Sequence, residues 1–119
     1  MKNFRKLLVW GKAHELTLNI YQETSSFPKE ELYGLISQMR RSAASIPSNI
    51  AAGCGRNSQA QLAHFLNIAS GSASELEYQI LLAKDLNLIS EDIFKSLINR
   101  VVEIKRMLSS LLQKVSTDS

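Results

Sequence analysis

The sequence predicts an all-α protein, an antiparallel up-down-up-down four-helix bundle. Four segments repeat apolar residues at three- and four-residue spacing, the signature of amphipathic helices. Only 5 Gly and 2 Pro occur among 119 residues, too few turn-makers for a many-stranded fold. The breaks between segments are short, which suits antiparallel neighbours packed around one core. The length fits a single domain spanning 1–119, with a basic N-terminal arm over 1–6 and a frayed tail over 116–119.

The first helix runs from about Leu7 to Thr24, with Val9, Ala13, Leu16 and Ile20 on one stripe. Leu7 and Leu18 lie off that stripe and call for a second partner surface. "SSFP" ends the pattern, and Pro28 suits a first helical position, with Glu30 and Glu31 favourable to the dipole behind it.

The second segment raises the main local question, because "QMRRSAASIPSNIAAGCGRNS" places a proline and two glycines in helical territory. Leu32, Leu35, Ile36, Met39, Ala43, Ile46, Ile50 and Cys54 nevertheless keep one phase across Pro47. The expectation is one helix from about Lys29 to Arg56, about 40 Å long, bent near Pro47. The alternative is a true break at Ile46–Pro47. Proline there removes the bond to the carbonyl of Ala43 and costs about 3 kcal/mol unless packing offsets it.

Ser58 with Gln61 three residues on reads as a capping box, with Asn57 as an alternative cap. Leu62, Phe65, Leu66, Ala69, Ala73, Leu76, Ile80 and Ala83 form the third stripe. The six small residues "ASGSAS", Ala69 to Ser74, permit a close helix crossing. Ser90 caps the fourth helix. Its seam is Phe94, Leu97, Val101, Ile104, Leu108, Leu111 and Val115, with Asn99, Glu103, Arg106, Ser110 and Gln113 on a solvated face.

The chain is 45% hydrophobic and 21% charged, with net charge +3, ordinary for a soluble protein and only mildly basic. No apolar run reaches the roughly 18 residues of a membrane span. The single cysteine, Cys54, excludes an internal disulfide and a multi-cysteine zinc site. A cytoplasmic location without membrane contact is the expectation.

No catalytic, metal or cofactor set emerges. His14 and His64 are isolated, Glu75 and Glu77 point to different faces, and Cys54 sits on the apolar arc without a histidine. "GCGRNS" lacks the strand and the Gly-Lys-Ser/Thr ending of a phosphate loop. The helical HEPN nucleases carry an arginine followed four to six residues later by histidine. Here seven residues separate Arg56 from His64, and the pattern is missed.

The polar side of the second helix is more informative. Gln38, Arg41, Ser45, Ser48, Asn49, Ala52 and Arg56 share a face, with Arg40 on its flank. From Leu32 to Asn57 there is neither Glu nor Lys. Guanidinium, hydroxyl and amide groups on one face suit phosphates or an acidic partner. Arg40, Arg41, Ser45, Asn49 and Arg56 are therefore the candidate nucleic-acid or partner-binding residues. Lys2, Arg5, Lys6 and Lys12 add positive charge, most effectively if the arm lies near Arg41 and Arg56.

The runs "LLVWGKAHELTLNIYQET", "FPKEELYGLISQMRRSAASIPSNIAAGCGRNS" and "FLNIASGSASELEYQI" resemble proteins encoded within intervening sequences of bacterial 23S ribosomal RNA genes. The pattern GLxxQxRRxxxSIPSNIAxGxGR carries the resemblance, on Arg40, Arg41, Ser45, Pro47, Asn49, Gly53 and Arg56. It implies a small bacterial four-helix bundle assembled as a homopentamer. In fold the family resembles the accessory protein of diversity-generating retroelements, a basic pentamer that associates with reverse transcriptase and nucleic acid. It supplies no catalytic residues. Where the family usually has Asn-Ile-Ala-Glu-Gly, this chain has Ala52, which removes a carboxylate that could pair with arginine. The leading expectation is a non-enzymatic homo-oligomer binding RNA or a nucleoprotein through the arginine face. A structural adaptor, using that face for assembly or docking, is the alternative, and a HEPN-like ribonuclease is a third reading.

Overall fold

The computed structural model describes residues 3–118, with side chains to residue 115. Lys2 of the basic arm and Ser119 of the tail therefore lie outside the described residues. Four helices form the fold: α1 Leu8–Thr24, α2 Ser37–Cys54, α3 Gln59–Asp85 and α4 Glu91–Asp118. The backbone of α4 thus continues as helix across 116–118, where the sequence suggested fraying.

Neighbours pack antiparallel around the square α1–α2–α3–α4, with α1 and α3 on the diagonal. The antiparallel sense of α2 and α3 is fixed by Ser42 meeting Glu75 while Ser45 meets Ser72. The bundle measures 46 × 23 × 20 Å. The thickest seams are those α3 makes with α2 and α4, and the α1–α4 seam is thin.

The predicted stripes are the core. Val9, Ala13, Leu16 and Ile20 of α1 are buried, as are Met39, Ala43, Ile46, Ile50 and Cys54 of α2. Leu62, Leu66, Ala69, Ala73, Leu76, Ile80 and Ala83 of α3 complete the centre with Leu97, Val101, Ile104, Leu108 and Val115 of α4. Leu7 packs against this cluster, but Leu18 and Leu32 are exposed.

Helix boundaries follow local chemistry. The Ser58 hydroxyl accepts from the backbone N–H of Gln61 at 3.1 Å, and the Ser90 hydroxyl from that of Ile93 at 3.2 Å, satisfying donors that a helix start leaves unpaired. At the end of α3, Asn87 adopts φ 63°. The N–H of Leu88 then reaches the carbonyl of Ala83, and that of Asn87 the carbonyl of Lys84, both at 2.9 Å. This is a Schellman closure with asparagine in the left-handed position.

The second segment corrects the expectation at its start. No helix runs unbroken from Lys29. A 3-10 turn, Lys29–Glu31, leads into a wide turn, Leu32–Ile36, kinked at Gly34 (φ −106°, ψ −109°), before α2 begins. Across Pro47, by contrast, the helix is intact. The carbonyl of Ala43, deprived of its intrahelical donor, accepts the hydroxyl of Thr17 on α1 at 3.0 Å. A neighbouring helix supplies the proton that proline lacks, so α2 stays helical through Pro47, and the kink lies before it, at Gly34.

Candidate functional site

The five candidate residues occupy three different environments. Ser45 belongs to the α2–α3 seam, and Asn49 is bonded to it from the next turn of α2. The Ser45 hydroxyl lies 2.8 Å from that of Ser72, and the Asn49 amide donates to the Ser45 carbonyl at 2.8 Å and to its hydroxyl at 2.9 Å. With the Ser42 hydroxyl donating to Glu75 Oε1 at 2.8 Å, these groups form a polar rail between two helices. Their hydrogen bonding is largely engaged within the chain.

Arg40 turns toward α1. Its Nε donates to the Thr24 hydroxyl at 2.9 Å and an Nη to the Tyr21 carbonyl at 3.2 Å, while the guanidinium lies 4.7 Å from the Tyr21 ring centroid. The carbonyls at the end of α1 attract such a cation. Arg41, next in sequence, is exposed. It borders an open groove of about 430 Å³ with Tyr21, Leu32, Tyr33, Ile36 and Arg40.

Arg56 lies beyond the end of α2, fifteen positions from Arg41, about 22 Å at a helical rise. Its guanidinium sits 4.8 Å from the Phe65 ring centroid of α3. It lines a cleft of about 240 Å³ with Gly53, Asn57, Ser58 and Gln59. The arginines therefore do not gather at one place: Arg40 and Arg41 mark one end of α2 and Arg56 the other.

The basic arm joins Arg56 rather than Arg41. Phe4–Lys6 forms a 3-10 turn packed against α2, and the Phe4 ring meets Trp10 edge-on at 5.0 Å. Since Arg40 binds the C-terminal end of α1, the N-terminal end of α1 lies beside the C-terminal end of α2. Exposed Arg5 and Lys6 thus share one end of the bundle with Arg56. Lys12 is paired with Glu103 of α4 at 3.2 Å.

Three lysines are held by carboxylates of other helices. Lys12, Lys84 and Lys105 meet Glu103, Glu91 and Glu77 across helix boundaries at 3.2, 3.4 and 2.9 Å. Among the described residues, no carboxylate pairs with Arg40, Arg41 or Arg56. Ala52, one turn before Arg56, is consistent with this: a glutamate there would stand at i,i+4.

Among the described residues, no three metal-type side chains converge. His14 is exposed and stacks on Trp10 at 5.1 Å. His64 is exposed and meets Phe65 edge-on at 5.3 Å, so His64 and Arg56 share one aromatic neighbour without a hydrogen bond to each other. Among the described residues, no helix is long and apolar enough to cross a membrane.

The model of the 23S rRNA-intervening sequence protein family matches residues 5–110. The chain belongs to that family. A crystal structure similar to this intervening-sequence protein is that of a protein of unknown function, from the S23 ribosomal protein family of Bacteroides thetaiotaomicron. The two chains are 27% identical with a TM-score of 0.82, over 89% of this chain and 96% of that one. No curated protein matches the sequence.

In this intervening-sequence protein the motif splits by role. Pro47, Gly53 and Ser45 join α2 to its neighbours, Asn49 braces Ser45, and Arg41 and Arg56 face outward. A Cβ on Gly53 would stand 3.0 Å from Leu62 Cδ1 and 3.1 Å from Phe65 Cβ, so glycine is what lets α2 and α3 close at their shared turn. Sequence reasoning offered neither Tyr21 nor Tyr33 as a site residue. Both lie off the apolar stripe, and Tyr33 adjoins Gly34, a signal that could have marked an exposed aromatic at a kink.

Proposed function

We propose that this protein is a non-catalytic, self-associating bundle that binds RNA, alone or within a nucleoprotein, through guanidinium groups at both ends of α2. The observation that carries the reading is that, among the described residues, no carboxylate pairs with Arg41 or Arg56, whereas Lys12, Lys84 and Lys105 each meet a glutamate. Unneutralised guanidiniums hold their charge available for phosphate oxygens, which they meet with two parallel hydrogen bonds. Arg5 and Lys6 reinforce Arg56, and a bundle end carrying several cations attracts a polyanion more strongly than the net charge suggests.

The test is retention of RNA across a salt series. Each neutralised phosphate steepens the fall of log K with log salt, by about 0.7 for single strands and 0.9 for duplexes. The double variant Arg41→Ala, Arg56→Ala is expected to bind more weakly and with a shallower slope. Unchanged affinity and slope would remove these two arginines from the function. Specific cleavage of labelled RNA would overturn the non-catalytic part.

A second reading, an adaptor built on self-assembly, is favoured by a separate observation. Leu8 and Leu18 of α1, and Tyr78 and Leu81 of α3, are exposed. Since α1 and α3 are diagonal, the two apolar faces point to different sides of one protomer. Head-to-tail contact between them would generate a ring or an open filament. Loss of assembly in the double arginine variant, with intrinsic RNA affinity unchanged, would favour this reading.

A further inference from the structure

Tyr33 is 94% exposed, although an aromatic ring left in water forgoes a large burial gain. The wide turn Leu32–Ile36, kinked at Gly34, carries it beside α2 instead of into the core. Leu32 and Tyr21 are also exposed, and with Arg40 and Arg41 the three border the open groove of about 430 Å³. The Arg40 guanidinium is fixed 4.7 Å from the Tyr21 ring by two hydrogen bonds. That makes a prebuilt flat surface, since the ordering of Arg40 is complete before any ligand arrives. Arg41 makes no such contact and remains exposed.

We propose that this groove is a stacking platform for unpaired bases of single-stranded RNA, with Tyr33 and the Tyr21–Arg40 pair offering flat faces and Arg41 meeting the backbone phosphate. The proposal rests on the RNA-binding reading above and assigns its ligand class. Aromatic faces interleaved with guanidiniums are what single strands require, because every base has a π-face and every linkage a negative charge. A duplex presents only its backbone and grooves, its base faces being already stacked. An acidic peptide would engage the guanidiniums but leave the exposed Tyr33 ring unused. The acids closest in sequence are Glu23, beside Thr24, and Glu30 and Glu31 in the turn before the platform. Glu31 Oε1 lies 3.5 Å from where a Cβ on Gly34 would stand, so Glu31 is turned toward the kink.

The experiment uses the full chain, a labelled 15-nucleotide oligouridine and a blunt RNA duplex of the same length, followed by fluorescence anisotropy at fixed salt. Tyr33→Ala is expected to weaken single-strand binding by roughly 5- to 100-fold while changing duplex binding less than twofold. Tyr33→Phe should retain most of the single-strand affinity. Arg41→Ala should lower the single-strand salt slope by about 0.7, and Glu30→Gln should strengthen binding. Both RNAs bound by the native chain and neither affected by Tyr33→Ala would overturn the platform alone. Native protein that binds neither RNA would overturn the RNA-binding reading with it. Tyr33→Ala that changes the oligomeric state in light scattering, but not RNA affinity, would assign the patch to contact between copies and overturn the platform.

Discussion

The hydroxyl of Thr17 donates across the helix boundary to the carbonyl of Ala43, the group that Pro47 leaves without an intrahelical partner. The same hydroxyl lies 2.9 Å from the carbonyl of Ala13 on its own helix and 3.0 Å from that of Ala43. Thr17 is buried, so water cannot substitute for it. A single side chain on α1 therefore permits a proline inside α2.

Thr17→Val keeps the shape and removes the donor. It should destabilise the fold by about 1–3 kcal/mol, the usual penalty of a buried unsatisfied acceptor, read by urea unfolding. Thr17→Ser should lose less. In a Pro47→Ala background, where the chain has its own N–H for Ala43, the Thr17→Val penalty should shrink. Equal penalties in both backgrounds would show that the two residues are not coupled.

Gly53 and Gly71 should respond oppositely to alanine. At Gly53 the added carbon meets Leu62 and Phe65, with the Leu62 carbonyl 3.3 Å away. An overpacking loss of about 1–3 kcal/mol is expected. At Gly71 nothing lies within 4 Å, and Gly71→Ala in mid-helix should raise stability by about 0.5–1 kcal/mol. Thermal unfolding of the two variants tests both signs.

Ala52→Glu would place a carboxylate one turn before Arg56. Arg56 lies just past the end of α2, so the new carboxylate would make at most an exposed pair worth about 0–1 kcal/mol, and stability should scarcely move. RNA retention should fall, because the new charge neutralises Arg56. Undiminished retention with an intact fold would argue that Arg56 does not meet phosphate.

Leu18→Glu on α1 and Tyr78→Glu on α3 should each reduce the mass seen by light scattering if the outer faces of these helices associate. Both positions are exposed in the protomer, so circular dichroism should stay native. Mass unchanged in both variants would place any self-association elsewhere.

The helices and their core were legible because apolar spacing reports directly on burial. Ser58 and Ser90 cap where their positions suggested, and the register across Pro47 does signal continuous helix. The compensation by Thr17 was not legible: it depends on a residue 26 positions from Ala43. Gly34 was also passed over, since Leu35 and Ile36 keep the apolar phase on either side of a kink that periodicity cannot register. For the candidate site, shared helical phase was a poor guide. Ser45, Asn49 and Arg41 are close in angle, yet Ser45 bonds Ser72 of α3, Asn49 bonds back to Ser45, and Arg41 is left open. Arg40 was placed on the flank, but the carbonyls that hold it belong to α1 and appear only once α1 has docked.

The thin α1–α4 seam makes the first helix the most weakly clamped member of the bundle. Deuterium should enter its amides through openings smaller than global unfolding, with Leu8–Thr24 exchanging ahead of the middle of α3. Peeling α1 away would also withdraw the Thr17 hydroxyl from Ala43, so amides near Pro47 should lose protection in the same step. The N-terminal helix and the centre of α2 would then behave as one cooperative unit, though 26 residues separate the two ends of the bond that joins them.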